Sequence, residues 1–304
     1  MNASLISNVP ATTTTVPRGL HHVTHSVRDL EALAAVYQGL GFTVGARNRH
    51  AWGTHNRIVQ LHGFYVELLE VAEPEKIVPH GPRSFSFGAF NRDFVARQEG
   101  IAMLALESRD ATADGAAFRA AGIGDFDIFS FEREGRRPDG STAKVAFSLV
   151  FATDPQSPDI GFFACQEHHP ENFWNPAFQT HSNTAAAIAA VLLVAENPPD
   201  HHIFMSAFVG ERDIQATSTG ITVPTPRGAI QVMDPAAFRI QFGVEPPDIS
   251  PGGRIAGLRF AVKDFGAAVA ALKTGGIAAQ MRMGRIVAGP EVATGATLVL
   301  EPAG

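Results

Sequence analysis

One unit recurs along this chain and limits what the chain can become. The segments HSVRDLEALAAVYQGLG, LESRDATADGAAFRAAG and FAVKDFGAAVAALKTGG each place a strand-like run, an Asp, a helix-like run and a Gly in that order. The interval is the same each time: Asp29 to Gly41, Asp110 to Gly122, Asp264 to Gly276. An Asp in that place accepts backbone N–H bonds of the first helical turn, and a Gly supplies the left-handed residue that ends the helix. Leu30, Leu33, Ala34 and Tyr37 give the first helix one apolar stripe. A weaker copy begins at AIAAVLLVAENPPDHHIFMSAFVG, with Asn197 at the cap position and Pro198 and Pro199 in the first turn. Strand-like runs follow every helix. In the first copy a strand at Leu20–Val27 is answered by a last strand at Phe64–Val71, and RNRHAWGTHNRIVQL between helix and last strand has room for two more. The unit is therefore βαβββ. Later copies offer DFDIFSFERE, STAKVAFSLVFA and IGFFACQEH, then DIQATSTGITV, GAIQVM and AFRIQFG, then AQMRMGRIVAG and ATLVLEPAG, with a turn at Pro138-Asp139-Gly140. The expectation is an α+β fold of four units, at roughly 19–72, 100–169, 186–243 and 254–304.

The totals agree. A chain of 304 residues with 45% hydrophobic residues can bury the core of two domains. A net charge of −6 with scattered basic residues argues against a nucleic-acid groove or an anionic membrane surface. No apolar run reaches bilayer length. The first 18 residues lack both a basic start and an apolar stretch, so they read as a flexible arm and not a secretory signal. The single cysteine, Cys165, has no internal partner for a disulfide, which suits a reducing cytoplasm. No phosphate-binding glycine loop, GxSxG elbow or CxxC pair is present, so kinase, hydrolase and nucleotide-dehydrogenase readings lack support.

His22-Val23, Val27-Arg28-Asp29-Leu30, Gly39-Leu40-Gly41-Phe42 and Val66-Glu67-Leu68-Leu69-Glu70 together resemble the vicinal oxygen chelate superfamily, the glyoxalase, bleomycin-resistance and extradiol-dioxygenase group. The stretch Trp52-Gly53-Thr54-His55-Asn56, and Phe162 to His169 followed by Pro170-Glu171-Asn172-Phe173-Trp174, look more narrowly like its glyoxalase-like domain subfamily. The first unit carries most of this likeness. The resemblance implies that paired units curl into two half-barrels, one from 19–169 and one, degenerate, from 186–304, joined by a crossover at 170–185. It also implies a small-molecule ligand in the barrel, often beside a divalent metal.

Carried across residue by residue, His22 matches the first-strand metal ligand and Glu67 the last-strand one. An imidazole and a carboxylate suit Fe, Mn, Zn or Ni. The second unit breaks the pattern, since Met103 falls where a second histidine should be and Cys165 or Gln166 near the second carboxylate. The fourth offers Arg259 and Glu301, and the third only Gln241. His22 reads equally as a core histidine. Glu67 shares a strand face with Tyr65 and needs a partner if buried: a metal, His22, His55 or an arginine. His55 is either a turn residue or a catalytic group that supplements the missing ligands. Trp52, Tyr65, Met103, His168 and Trp174 are the candidate substrate-binding residues, and Cys165 reads as a buried thiol before a nucleophile. By alternation His21 and His25 should face away from His22, and the pair His201-His202 should lie on the surface.

These residues point to lyase, isomerase or dioxygenase chemistry on a small oxygenated organic molecule in the N-terminal half. The alternative is a metal-free binding protein of the resistance type. A ring-cleaving dioxygenase would need two histidines and a carboxylate in the C-terminal half, and no such set is visible. A homodimer is compatible with all of these readings.

Overall fold

The computed structural model describes residues 16–136 and 141–304. The turn expected at Pro138-Asp139-Gly140, and most of the expected N-terminal arm, lie outside these residues. Two eight-stranded mixed sheets carry the fold. In the first unit β1 (Leu20–Val27) leads to α1 (Leu30–Gly39), then β2 (Asn48–Arg49), β3 (Thr54–Leu61) and β4 (Phe64–Val71). A helix that the sequence reading did not assign, α2 (Phe87–Arg97), precedes the second unit: β5 (Gly100–Glu107), α3 (Ala111–Ala120), β6 (Phe129–Arg136), β7 (Thr142–Ala152) and β8 (Gly161–Glu167). The short α4 (Pro170–Phe173) opens the crossover. The third unit holds β9 (Ala185–Val194), α5 (His202–Val209), β10 (Gln215–Thr217), β11 (Gly220–Pro224) and β12 (Ala229–Met233). Then come α6 (Pro235–Phe242) and the fourth unit: β13 (Arg254–Val262), α7 (Phe265–Gly275), β14 (Gln280–Arg282), β15 (Arg285–Ala288) and β16 (Thr297–Pro302).

The capping argument holds where it was made for an Asp. Asp29 accepts from the N–H groups of Glu31 and Ala32, Asp110 from Thr112 and Ala113, and Asp264 from Ala267. Gly41, Gly122 and Gly276 all have positive φ. Asn197 differs: its side chain caps nothing, and a 3-10 turn at Pro198–His201 leads into α5. AFRIQFG is also not a strand. It forms α6, capped by Asp234, started by Pro235 and ended by left-handed Gly243. Consequently Gln241 lies on a helix, and the last strand of the third unit is β12.

Both sheets have one internal symmetry. Their strand orders are β2-β3-β4-β1-β5-β8-β7-β6 and β10-β11-β12-β9-β13-β16-β15-β14. In each, the first strands of two units pair antiparallel at the centre, β1 with β5 and β9 with β13. Strand alternation then gives each sheet two apolar faces. Val23, Val66, Leu104 and Phe162 of the first sheet share one continuous core with Val191, Leu258 and Phe260 of the second. Phe42 packs on Phe260 at 5.0 Å and Phe162 on Phe204 at 4.7 Å, so the halves bury each other. Each fully buried ring here contributes roughly 1.5–3 kcal/mol. Arg18, expected in a loose arm, is buried. It bonds Asp114 and the carbonyl oxygen of Phe208 at 2.9 Å, which ties the two halves together.

The opposite face of each sheet is covered by its inserted helix. Phe87 and Phe94 of α2 pack with Met103, Phe147, Phe151 and Phe163. In the second sheet Ala237, Phe238 and Phe242 of α6 pack with Leu192 and Val299. The first of these faces leaves the space described next.

Candidate functional site

Between the first sheet and its aromatic cover lies a cavity lined by His22, Trp52, Asn56, Tyr65, Glu67 and Arg133, with phenyl rings around them. It leaves about 40 Å³ for the centre of a water-sized sphere within about 470 Å³ of atom-free space. That suits one small molecule, since a water needs only about 10–15 Å³ by the first measure.

Glu67 stands on β4, with Ile58 of β3 opposite it. Its Oε1 accepts from Asn56 Nδ2 at 2.5 Å and its Oε2 from Thr24 Oγ1 at 3.2 Å. Burial pushes the carboxyl above its ordinary range, and the bonds from Asn56 and Thr24 oppose the shift without cancelling it. His50, which the sequence reading passed over, completes the group. Its Nε2 accepts from Asn56 Nδ2 at 3.3 Å and lies 3.9 Å from Glu67 Oε1. Burial, with Arg133 and His55 nearby, lowers His50 to about 3, so the ring is neutral. A neutral ring that accepts at Nε2 carries its proton on Nδ1, which donates to Thr54 Oγ1 at 2.8 Å. Trp52 stacks on His50 at 4.5 Å. Two cavity-wall N–H groups, Trp52 Nε1 and Arg133 Nε, are buried without a hydrogen-bond partner.

The histidines of β1 do not alternate as expected. Between Leu20 and His22 the register with β5 slips, and His21 is the extra residue. Leu20 and Val23 both enter the shared core, so His21 and His22 are both turned to the cavity side. Their Nδ1 atoms meet at 2.7 Å. His22 stacks on Tyr65 at 4.3 Å, and desolvation beside His21 holds it well below the ordinary imidazole value. His25 does face away, onto Tyr37 and the Thr294 carbonyl. Cys165 lines the cavity and also an outer cleft with His21, Glu167, Trp174 and Arg227. Burial, with Glu167 and Glu67 near, pushes the Cys165 thiol up.

The expected site residues therefore divide. His22, Glu67, Trp52 and Tyr65 share the cavity. Trp174 lines the outer cleft, where its Nε1 donates to Glu167 Oε2 at 2.7 Å. Met103 is on the same face but lies under α2, with Asn91 Nδ2 donating to its sulfur. His168 is exposed and bonds Ser148. His55 is on the far face of β3, between Arg47 and Glu73, because its parity is that of Val59 and opposite to that of Asn56. His201, expected at the surface, is buried against Asp154 at 2.8 Å, whereas His202 is exposed.

Residues 20–207 match the model of a family described as a glyoxalase-like domain. The chain belongs to the glyoxalase-like domain family. Among curated proteins none matches it. Solved structures similar to this glyoxalase-like chain include a hypothetical protein from Staphylococcus aureus. It has 12% identity and a TM-score of 0.65, with 94% of this chain and 100% of that chain covered. A mutant of 4-hydroxymandelate synthase from Streptomyces coelicolor has 13% identity, a TM-score of 0.56 and 95% coverage of both chains. A xylose isomerase-like TIM barrel/4-hydroxyphenylpyruvate dioxygenase fusion protein has 12% identity and a TM-score of 0.53, with 96% of this chain and 50% of that chain covered. At such identities the likeness is one of fold. Among the described residues no helix is long and apolar enough to cross a membrane.

The metal set that the resemblance implies, His22 with Glu67, is not the one brought together here: the donors that gather around His22 among the described residues are His21 and Cys165, while the Glu67 oxygens accept from Asn56 and Thr24. At the matching positions the second unit has Met103, covered by α2, and Cys165.

Proposed function

We propose that the N-terminal cavity takes up a small, flat, oxygenated molecule and that Glu67 moves a proton on it, as a lyase or isomerase does. The observation that carries this is a buried carboxylate, raised above its ordinary range, sharing an aromatic cavity with two unpaired N–H donors. A raised carboxyl is a better base for a carbon or hydroxyl proton near neutral pH. The proton passes from the substrate to a Glu67 oxygen, and the electron pair left behind moves onto the adjacent substrate oxygen. Trp52 Nε1–H and Arg133 Nε–H then have the right character to hold that oxygen as its charge grows. Asn56 and Thr24 orient Glu67 throughout, and neutral His50 fixes Asn56 from behind. Phe87, Phe131, Phe147 and Phe163 exclude water and stack on a flat ligand. The C-terminal half, on this reading, is structural support.

A binding protein without turnover is the second reading. It is favoured by one observation: Glu67 already has both oxygens hydrogen-bonded. The experiment that separates the two is a ligand screen of aromatic hydroxy- and oxo-compounds by thermal shift, followed by NMR of hits in D₂O. Turnover predicts enzyme-dependent exchange of a substrate proton for deuterium, lost in Glu67→Gln while binding persists. Exchange that survives Glu67→Gln would refute the role of Glu67, and tight binding with no exchange would favour the binding protein.

A further inference from the structure

The group in which a metal and the visible donors disagree has another set of donors beside it. His21, His22 and Cys165 lie between the aromatic cavity and the outer cleft, all three are buried, and one ligand atom from each (an imidazole nitrogen or the sulfur) lies within 4.8 Å of the others. Three features of the surroundings are those of a metal site. First, the bulge at His21 spends a residue of β1 to bring two neighbouring imidazoles to one side; a regular strand would have parted them. Second, the two Nδ1 atoms face each other at 2.7 Å. At that distance a proton joins them, one Nδ1–H donating to the other Nδ1, and it is this shared proton that a cation would displace. Third, Glu167 Oε1 is buried without a hydrogen bond and sits 3.4 Å from His21 Nε2. A carboxylate behind the remote nitrogen of an imidazole is the arrangement that keeps the proton on Nε2 and leaves Nδ1 free to ligate.

We infer that His21, His22 and Cys165 bind one thiolate-seeking divalent transition-metal ion, of the Zn(II) or Co(II) class, with Glu167 orienting His21. Two imidazoles and a thiolate select such ions over Mg(II) or Ca(II), which take oxygen. With metal–nitrogen bonds of about 2.0–2.1 Å and tetrahedral angles the two nitrogens stand about 3.3–3.4 Å apart, against 2.7 Å now, so the rings open by about 0.6–0.7 Å as the ion replaces the proton. His22 is kept in plane by Tyr65 and by Phe163 at 5.2 Å, so His21, on the side of the outer cleft, is the ring that moves. A fourth position is left for water or ligand. The site does not depend on the acid–base role given to Glu67, because Glu67 is not one of its donors.

The test is cobalt titration of the full chain after chelator treatment, under reducing, oxygen-free conditions. The expected result is one Co(II) per chain, with a thiolate-to-cobalt charge-transfer band in the near ultraviolet and the strong visible bands of a four-coordinate ion. Cys165→Ser should remove the charge-transfer band, and His21→Gln should abolish stoichiometric uptake. Glu167→Gln should weaken it by about 10–100-fold, and it serves as the deciding variant if either of the others fails to fold. Glu67→Gln should bind cobalt as the unaltered chain does. Absence of uptake, a charge-transfer band that survives Cys165→Ser, or full affinity in Glu167→Gln would overturn the proposal. So would loss of uptake in Glu67→Gln, which would put the ion between His22 and Glu67 instead.

Discussion

Replacing Glu67 by Gln tests the cavity without reference to any ligand. Glu67 is 6% exposed and hydrogen-bonded by Asn56 Nδ2 and Thr24 Oγ1. A glutamine keeps both bonds: its oxygen accepts from Asn56, and its amide donates to the Thr24 hydroxyl, which can turn to accept. The substitution thus removes a charge and little else. The folded-state carboxyl titrates above its ordinary 4.5, because burial outweighs its hydrogen bonds. Between 4.5 and the folded value the native chain holds a proton that the unfolded chain has released. Stability therefore falls as pH rises through that window, by about 1.4 kcal/mol for each unit of separation. Gln has no such dependence. Urea unfolding of both proteins from pH 4.5 to 8 should show Glu67→Gln gaining on the unaltered chain as pH rises, with a level difference above the window. Glu67→Ala should show the same trend with pH but lie roughly 1–3 kcal/mol below Glu67→Gln at every pH, because the amide of Asn56 is then left unpaired. A difference between Glu67→Gln and the unaltered chain that is flat across the whole range, or that favours the carboxylate at high pH, would refute the reasoning.

Two further outcomes follow from other parts of the fold. His25 is buried against Tyr37 and the Thr294 carbonyl, and desolvation lowers it to about 4, so histidine NMR should find its ring neutral at pH 5. The stability it supplies, about 3 kcal/mol by linkage, is lost as pH falls from 6.5 through 4, and a midpoint near 6.5 would contradict this. Helices α1 and α7 meet through glycine, and a Cβ on Gly275 would lie 1.9 Å from the carbonyl oxygen of Gly39. Gly275→Ala should therefore destabilise by roughly 1–3 kcal/mol in calorimetry, and a loss within error of zero would show that the helices part freely.

What was legible in the sequence was local. An Asp that caps and a Gly that turns left-handed act on their own few residues, so the repeat at Asp29, Asp110 and Asp264 predicted helices that formed. The same kind of signal was present for α6, where Asp234-Pro235 begins the helix and Gly243 ends it. It was masked by the alternation of Phe238, Ile240 and Phe242, which mimics a strand. Helix α2 carries a Ser86 cap but is phenylalanine-rich and only weakly patterned, and its existence depends on a sheet face that needs a cover. The site shows the same division. Once Thr54–Leu61 is a strand, the parity of Ile58 sends Asn56 inward and His55 outward, which alternation alone could have told. His50 could not be found so, because its strand neighbours span only Asn48–Arg49 and its place comes from tertiary contacts with Thr54, Asn56 and Trp52. The bulge at His21 is likewise a property of the pairing of β1 with β5, and no residue of β1 announces it.

The two sheets treat a buried carboxylate differently, which bears on the acid–base role proposed for Glu67. Each has a carboxylate on the last strand of one of its units, Glu67 on β4 and Glu301 on β16, and an inserted helix over that face, α2 and α6. Their neighbours differ. Glu301 is gripped by Arg259 at 2.8 Å and Arg285 at 2.8 Å, and Arg259 is tied in turn to Gln231 at 2.7 Å. Two guanidiniums on one carboxylate make a closed ion-pair cluster, with no proton to give and no lone pair to spare. Glu67 instead is hydrogen-bonded by an amide and a hydroxyl, with the Arg133 guanidinium attracting it across the cavity, a weaker match for its charge than two arginines. A buried carboxylate left in that condition gains most from whatever brings it a proton or a positive charge. In this sheet that free energy is available to a ligand; in the other it has already been spent on arginine.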